Sequence, residues 1–112
     1  MKKIEKPWGY EEIWAETDKY VAKRMLIRAG QRMSLQYHKI KEETIYVASG
    51  FLVLWEDENE NEFRILREGE VYHVKPKQIH RFGADLTGDV VLIEVSTPEL
   101  DDVIRLEDDY AR

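Results

Sequence analysis

The chain has 112 residues, 43% of them apolar and 36% charged, a mixture too hydrophobic for a disordered segment and too interrupted for a membrane-spanning helix of about 20 apolar residues. A formal net charge of −6 speaks against nucleic acid as a partner, because a phosphate backbone is bound by clustered Lys and Arg. Cysteine is absent, so no disulfide staples the fold and any metal has to be held by nitrogen and oxygen.

A chain this short leaves room for a single core, and residues 1–112 read as one domain. The basic start Met1-Lys2-Lys3 has no apolar stretch behind it, which is unlike a secretory signal. With the lack of cysteine, this sets cytoplasmic localisation as the expectation.

Segments rich in β-branched, aromatic and leucine residues then recur every eight to twelve residues or so, separated by turn formers. This spacing predicts about nine or ten strands. They fall at residues 10–15, 20–28, 33–38, 44–48, 51–56, 62–66, 70–74, 79–82 and 90–96, with a short one at 103–106. Punctuation falls at Gly30, Ser49-Gly50, Gly69, Pro76, Gly83, Thr87-Gly88 and Thr97-Pro98. No segment keeps a 3.6-residue apolar period, so long helices are excluded and at most a single turn is expected at 98–102. The fold class is therefore all-β, a sandwich or barrel.

Residues 51–55 are apolar on both alternating faces, which predicts cover from the interior on one side and from a second layer or a partner subunit on the other. A homodimer is the corresponding expectation. The acidic runs at 56–62 and 101–109 read as a solvated hairpin tip and an exposed tail.

Chemistry concentrates in Gln36-Tyr37-His38-Lys39-Ile40-Lys41-Glu42-Glu43. Strand alternation places Ser34, Gln36 and His38 on one face. A short turn brings the next strand back antiparallel, so that Glu43 comes opposite them, on a face continued by Ile45 and Val47. His80 opens a later strand whose same-face neighbours, Phe82 and Ala84, are apolar. If the sheet curls closed, Gln36, His38, Glu43 and His80 converge as ligands for one divalent metal ion. Taken singly, each is as well explained as a satisfied core residue.

Gly30, Gln36-Tyr37-His38, Glu43 and Gly50, then Gly69 and His80, resemble the two motifs of the cupin superfamily, which has a double-stranded β-helix or jelly-roll barrel. Gln36 stands at the place of a histidine, and Lys75 and Lys77 at the places of a proline and a glycine. More closely, the chain resembles the C-terminal cupin domain of type II mannose-6-phosphate isomerases. The resemblance is carried by Lys6-Pro7-Trp8-Gly9-Tyr10-Glu11, Tyr20-Val21-Ala22-Lys23-Arg24, Ser34-Leu35-Gln36 before His38, Ile79-His80-Arg81, Ile93-Glu94-Val95 and Ile104-Arg105-Leu106-Glu107-Asp108 with Tyr110. In that subfamily Ser-Leu-Gln-x-His is the ordinary form. Lys39, Ile40, Thr44 and Ile45 depart from its pattern at the pocket rim.

The resemblance implies a metal-dependent aldose–ketose isomerase acting on a small sugar phosphate or related sugar nucleotide. Zn²⁺ is the favoured ion, with Mn²⁺, Fe²⁺, Co²⁺ or Ni²⁺ as alternatives. Lys23 and Glu94 are the candidates for carrying the proton, and Arg24, Lys77 and Arg81 for binding the substrate phosphate. Two other readings use the same ligands: a non-catalytic cupin that binds a sugar or sugar nucleotide, and an iron-dependent cupin oxygenase.

Overall fold

The computed structural model describes residues 2–110, and these contain strands and turns but no helix. The strands are β1 (Lys2–Lys6), β2 (Gly9–Glu16), β3 (Val21–Ile27), β4 (Leu35–Tyr37), β5 (Glu43–Ser49), β6 (Leu52–Trp55), β7 (Arg64–Leu66), β8 (Val71–Val74), β9 (Arg81–Ala84), β10 (Val90–Ser96) and β11 (Ile104–Glu107). One sheet has the order β1-β2-β3-β10-β5-β8, all pairs antiparallel. A second layer consists of β7-β6-β9 and β11-β4, joined by bridges from Arg32 to Gly83 and from Gln36 to His80. The non-consecutive neighbours β3-β10-β5 are the signature of a jelly-roll, in which strands distant in sequence are interleaved.

Strict alternation builds the interior. Met25 and Ile27 of β3, Ile45 and Val47 of β5, and Val90 and Leu92 of β10 are buried and belong to one core cluster with Leu52, Leu54, Val74 and Phe82. Leu52, Val53 and Leu54 are all covered within the chain, whereas Phe51, expected to share that cover, is half exposed. The segment 98–102 forms hydrogen-bonded turns, with Leu100 N–H donating to Pro98 and Asp102 N–H to Glu99.

The acidic tip at 56–62 is exposed, as expected, and it also converges with the acidic tail. Arg32 pairs with Glu60 of the hairpin tip (2.9 Å) and with Asp109 of the tail (2.6 Å), and its guanidinium lies over Trp55. Arg32 thus draws the tip and the tail to one side of the second layer.

β1 is absent from the expected strands because Lys-Lys-Ile-Glu-Lys has no apolar alternation to reveal it. It forms as the return arm of a hairpin through Pro7 and Trp8, in which Gly9 is indispensable. A Cβ on Gly9 would sit 1.8 Å from the Leu26 carbonyl oxygen.

Candidate metal centre

His38, Glu43 and His80 are all buried, and their ligand atoms lie within 4.8 Å of one another. They arrive from three places: the end of β4, the first residue of β5 and the residue before β9. The His38 and His80 Nε2 atoms are each 3.2 Å from Glu43 Oε1.

The other nitrogen of each ring fixes its tautomer. His38 Nδ1 lies 2.5 Å from the Asp102 carbonyl oxygen, and His80 Nδ1 lies 3.0 Å from that of Gln78. A carbonyl only accepts, so both Nδ1 atoms carry the proton. In the neutral rings, the two Nε2 lone pairs then face a carboxylate oxygen, and three acceptors crowd one point. His80 Nε2 is buried and makes no hydrogen bond. Nitrogen and oxygen donors, oriented through the far side of each imidazole, fit a divalent cation.

Gln36 flanks this cluster. Its backbone N–H and C=O both bond to His80, and its side-chain oxygen accepts from Ser34 Oγ at 2.7 Å. Gln36 and His38 line a cavity of about 200 Å³ that opens between β1 of one layer and β11 of the other. Trp8, Ile13, Met33 and Val103 give this cavity its apolar wall.

Next to this cluster lies a buried ionic network. Glu94 Oε2 is 3.5 Å from Lys23 Nζ and 3.4 Å from Lys41 Nζ. Lys23 also reaches Glu11 at 3.2 Å, and Lys41 reaches Glu43 at 3.6 Å. Burial, reinforced by the neighbouring Glu43 carboxylate, pushes the Glu94 carboxyl up to about 8. Glu43 is driven the other way despite its burial, because a hydrogen bond from Glu94 and the charge of the nearby Lys41 ammonium favour its ionised form. Burial disfavours the Lys23 ammonium, yet Glu94 and Glu11 outweigh this and raise its pKa above the ordinary value.

Lys23 and Glu94, the two candidates for carrying the proton, therefore do meet, as cross-strand partners on β3 and β10. Glu11 and Lys41 belong to the same network and were missed. Lys41 sits in the turn after His38, where no periodicity indicates direction. Glu11 shares parity with the buried Ile13 and could have been found from that alone.

The three candidate phosphate ligands lie elsewhere. Arg24 alternates with Lys23 and so faces outward, bonding to Tyr10 (3.2 Å) and Glu12 (3.3 Å). Arg81 alternates with His80 and is buried, its Nε donating to the Met33 carbonyl at 2.8 Å while its Nη atoms pair with Glu107 and Asp109. Lys77 is exposed in the turn before His80. Its φ is +69°, and its N–H donates to the His38 carbonyl at 2.6 Å. It occupies a glycine position of the second cupin motif, and its backbone takes the left-handed shape that glycine would supply.

Residues 1–108 match the family described as "Mannose-6-phosphate isomerase C-terminal". The chain belongs to that family. It is similar to the xanthan biosynthesis protein XanB of Xanthomonas campestris, with 28% identity over 99% of this chain and 24% of that protein. It is equally similar to a mannose-1-phosphate guanylyltransferase of Escherichia coli, again 28% identical over 99% of this chain and 23% of the relative. The chain thus spans about a quarter of the length of these relatives. Among solved structures, a double-stranded β-helix protein from Klebsiella pneumoniae superposes with a TM-score of 0.80 at 18% identity, over 94% of this chain and 84% of that one. The fold is that of a cupin.

Proposed function

We propose that this mannose-6-phosphate isomerase C-terminal cupin is a metal-dependent aldose–ketose isomerase acting on a sugar phosphate of the mannose 6-phosphate type. The observation that carries the reading is the convergence of two oriented imidazoles and Glu43 beside a cavity whose wall bears Lys23 and Lys41. Family membership supports the substrate class.

His38, Glu43 and His80, with the Gln36 amide oxygen, would hold the ion, and Zn²⁺ suits this nitrogen and oxygen set. The chemistry supplied by such a cation is Lewis-acid polarisation of a carbonyl. Isomerisation also requires a proton to leave C2 of the aldose and return at C1. Lys23 Nζ and Lys41 Nζ stand on the cavity wall with protons to donate to substrate oxygens. The Glu94 carboxyl lies directly behind both, and burial pushes its pKa up to about 8. Trp8, Ile13 and Met33 exclude water from that side of the sugar.

Incubating protein loaded with Zn²⁺, Mn²⁺, Co²⁺ or Fe²⁺ with mannose 6-phosphate, and following fructose 6-phosphate, tests the proposal. Turnover with at least one of these metals is expected, and none with any of them overturns it.

A further inference from the structure

The mouth of the cavity carries charge that the proton-transfer chemistry does not use. Lys2 and Lys6 of β1 lie on the same strand face as Ile4, and all three line the opening. Arg105 of β11 lines it from the facing layer. Arg105 is the register partner of Gln36 on β4, so both side chains stand on the cavity face of that sheet.

What separates these three cations from the deeper ones is pairing. Lys23 is tied to Glu11 and Glu94, and Lys41 to Glu43 and Glu94. Among the described residues, no carboxylate lies within 4.0 Å of the charged groups of Lys2, Lys6 or Arg105. Asp101, on the same wall, pairs with none of them. In a chain of net charge −6, three uncompensated cations around one opening form a local trap for an anion.

We infer that Lys2, Lys6 and Arg105 bind the phosphate of a phosphate monoester, whose carbon portion enters the cavity towards Gln36 and His38. The identity of that carbon portion rests on the proposed isomerase reading; the anion site itself does not. Arg105 supplies a planar fork for two phosphate oxygens, and the lysines supply point charges from the opposite layer. At about 200 Å³ the cavity is smaller than the roughly 300–1,000 Å³ of drug-sized sites, which favours a monosaccharide phosphate over a sugar nucleotide.

Calorimetric titration of the metal-loaded protein with mannose 6-phosphate, and separately with mannose, tests the site. Arg105→Gln and the double variant Lys2→Gln/Lys6→Gln should each weaken mannose 6-phosphate binding ~10-fold or more, as expected for lost charge-assisted hydrogen bonds. Arg105→Lys should recover part of the loss, and mannose binding should not change. All three positions are at the surface or half-buried, so the melting temperatures of the variants should match the parent and exclude misfolding. Unchanged affinity in both variants overturns the inference, as does a parent protein that binds mannose 6-phosphate no better than mannose. Binding through these cations without formation of fructose 6-phosphate would remove the isomerase reading and leave the anion site standing. Turnover with KM unaltered in the variants would do the reverse.

Discussion

On the proposed reading of the His38, Glu43 and His80 cluster as a metal site, chelation should destabilise the protein by an amount that follows from mass action. A cation that binds only the folded state at about 100 times its Kd contributes about 2.7 kcal/mol. For a domain of this length the unfolding entropy is about 0.2 kcal/mol/K, so chelation should lower Tm by about 10 °C. The structure adds a second component: without a cation, His80 Nε2 is a buried acceptor with no partner, a situation that costs about 1–3 kcal/mol unless the ring takes up a proton. Differential scanning calorimetry of metal-loaded protein with and without chelator measures the sum. His80→Ala removes one ligand and the orphaned nitrogen together, so its Tm, whatever its absolute value, should no longer respond to chelator. The reasoning fails if parent protein melts identically with and without chelator, or if His80→Ala keeps the full response.

Other parts of the fold make separate predictions. Lys77→Gly should stabilise by about 0.5–1 kcal/mol in urea titration, because a left-handed φ of +69° strains a residue with a Cβ by more than the extra backbone entropy of glycine. Arg81→Ala should cost about 2 kcal/mol and speed amide exchange in β11, since it leaves the Met33 carbonyl without this donor and frees Glu107, with Asp109 left to Arg32 alone. Asp102 accepts the N–H groups of Lys41, Ile40 and Lys39, which hold its carboxyl at about 2, below the ordinary 3.8. Because the folded value is depressed, its contribution is complete above pH 3.8 and is lost as pH falls through about 2. Asp102→Ala should therefore lower the urea midpoint at pH 7 and flatten its fall between pH 4 and pH 2.

The strands and the inward-facing side chains that converge could be read directly because both depend on short-range patterns. A period of two in Glu43, Ile45 and Val47, or in His80 and Phe82, is printed in the chain and survives any packing that buries one face. The same rule, applied strictly, would have excluded Arg24 and Arg81 as partners of the cavity: each directly follows an inward residue, Lys23 and His80, and must point the other way. Their charge suggested a phosphate ligand, and their parity contradicted it. β1 and Lys41 lay beyond such reasoning, the first because a charged strand has no apolar face, the second because a turn has no period.

By itself, then, the sequence determined the all-β class, the parity that turns Gln36, His38, Glu43 and His80 inward, and the glycine position that Lys77 fills. Which inward faces meet was decided only by the tertiary structure. Pairing β3 with β10 and β10 with β5 sets Lys23 beside Glu94 and Glu94 near Glu43, residues 71 and 51 positions apart along the chain. Opposing β1 to β11 gathers Lys2, Lys6 and Arg105 at one opening from the two ends of the described chain. Alternation along a strand is a local property of the backbone, whereas the neighbour across a sheet is chosen by burying the core as a whole.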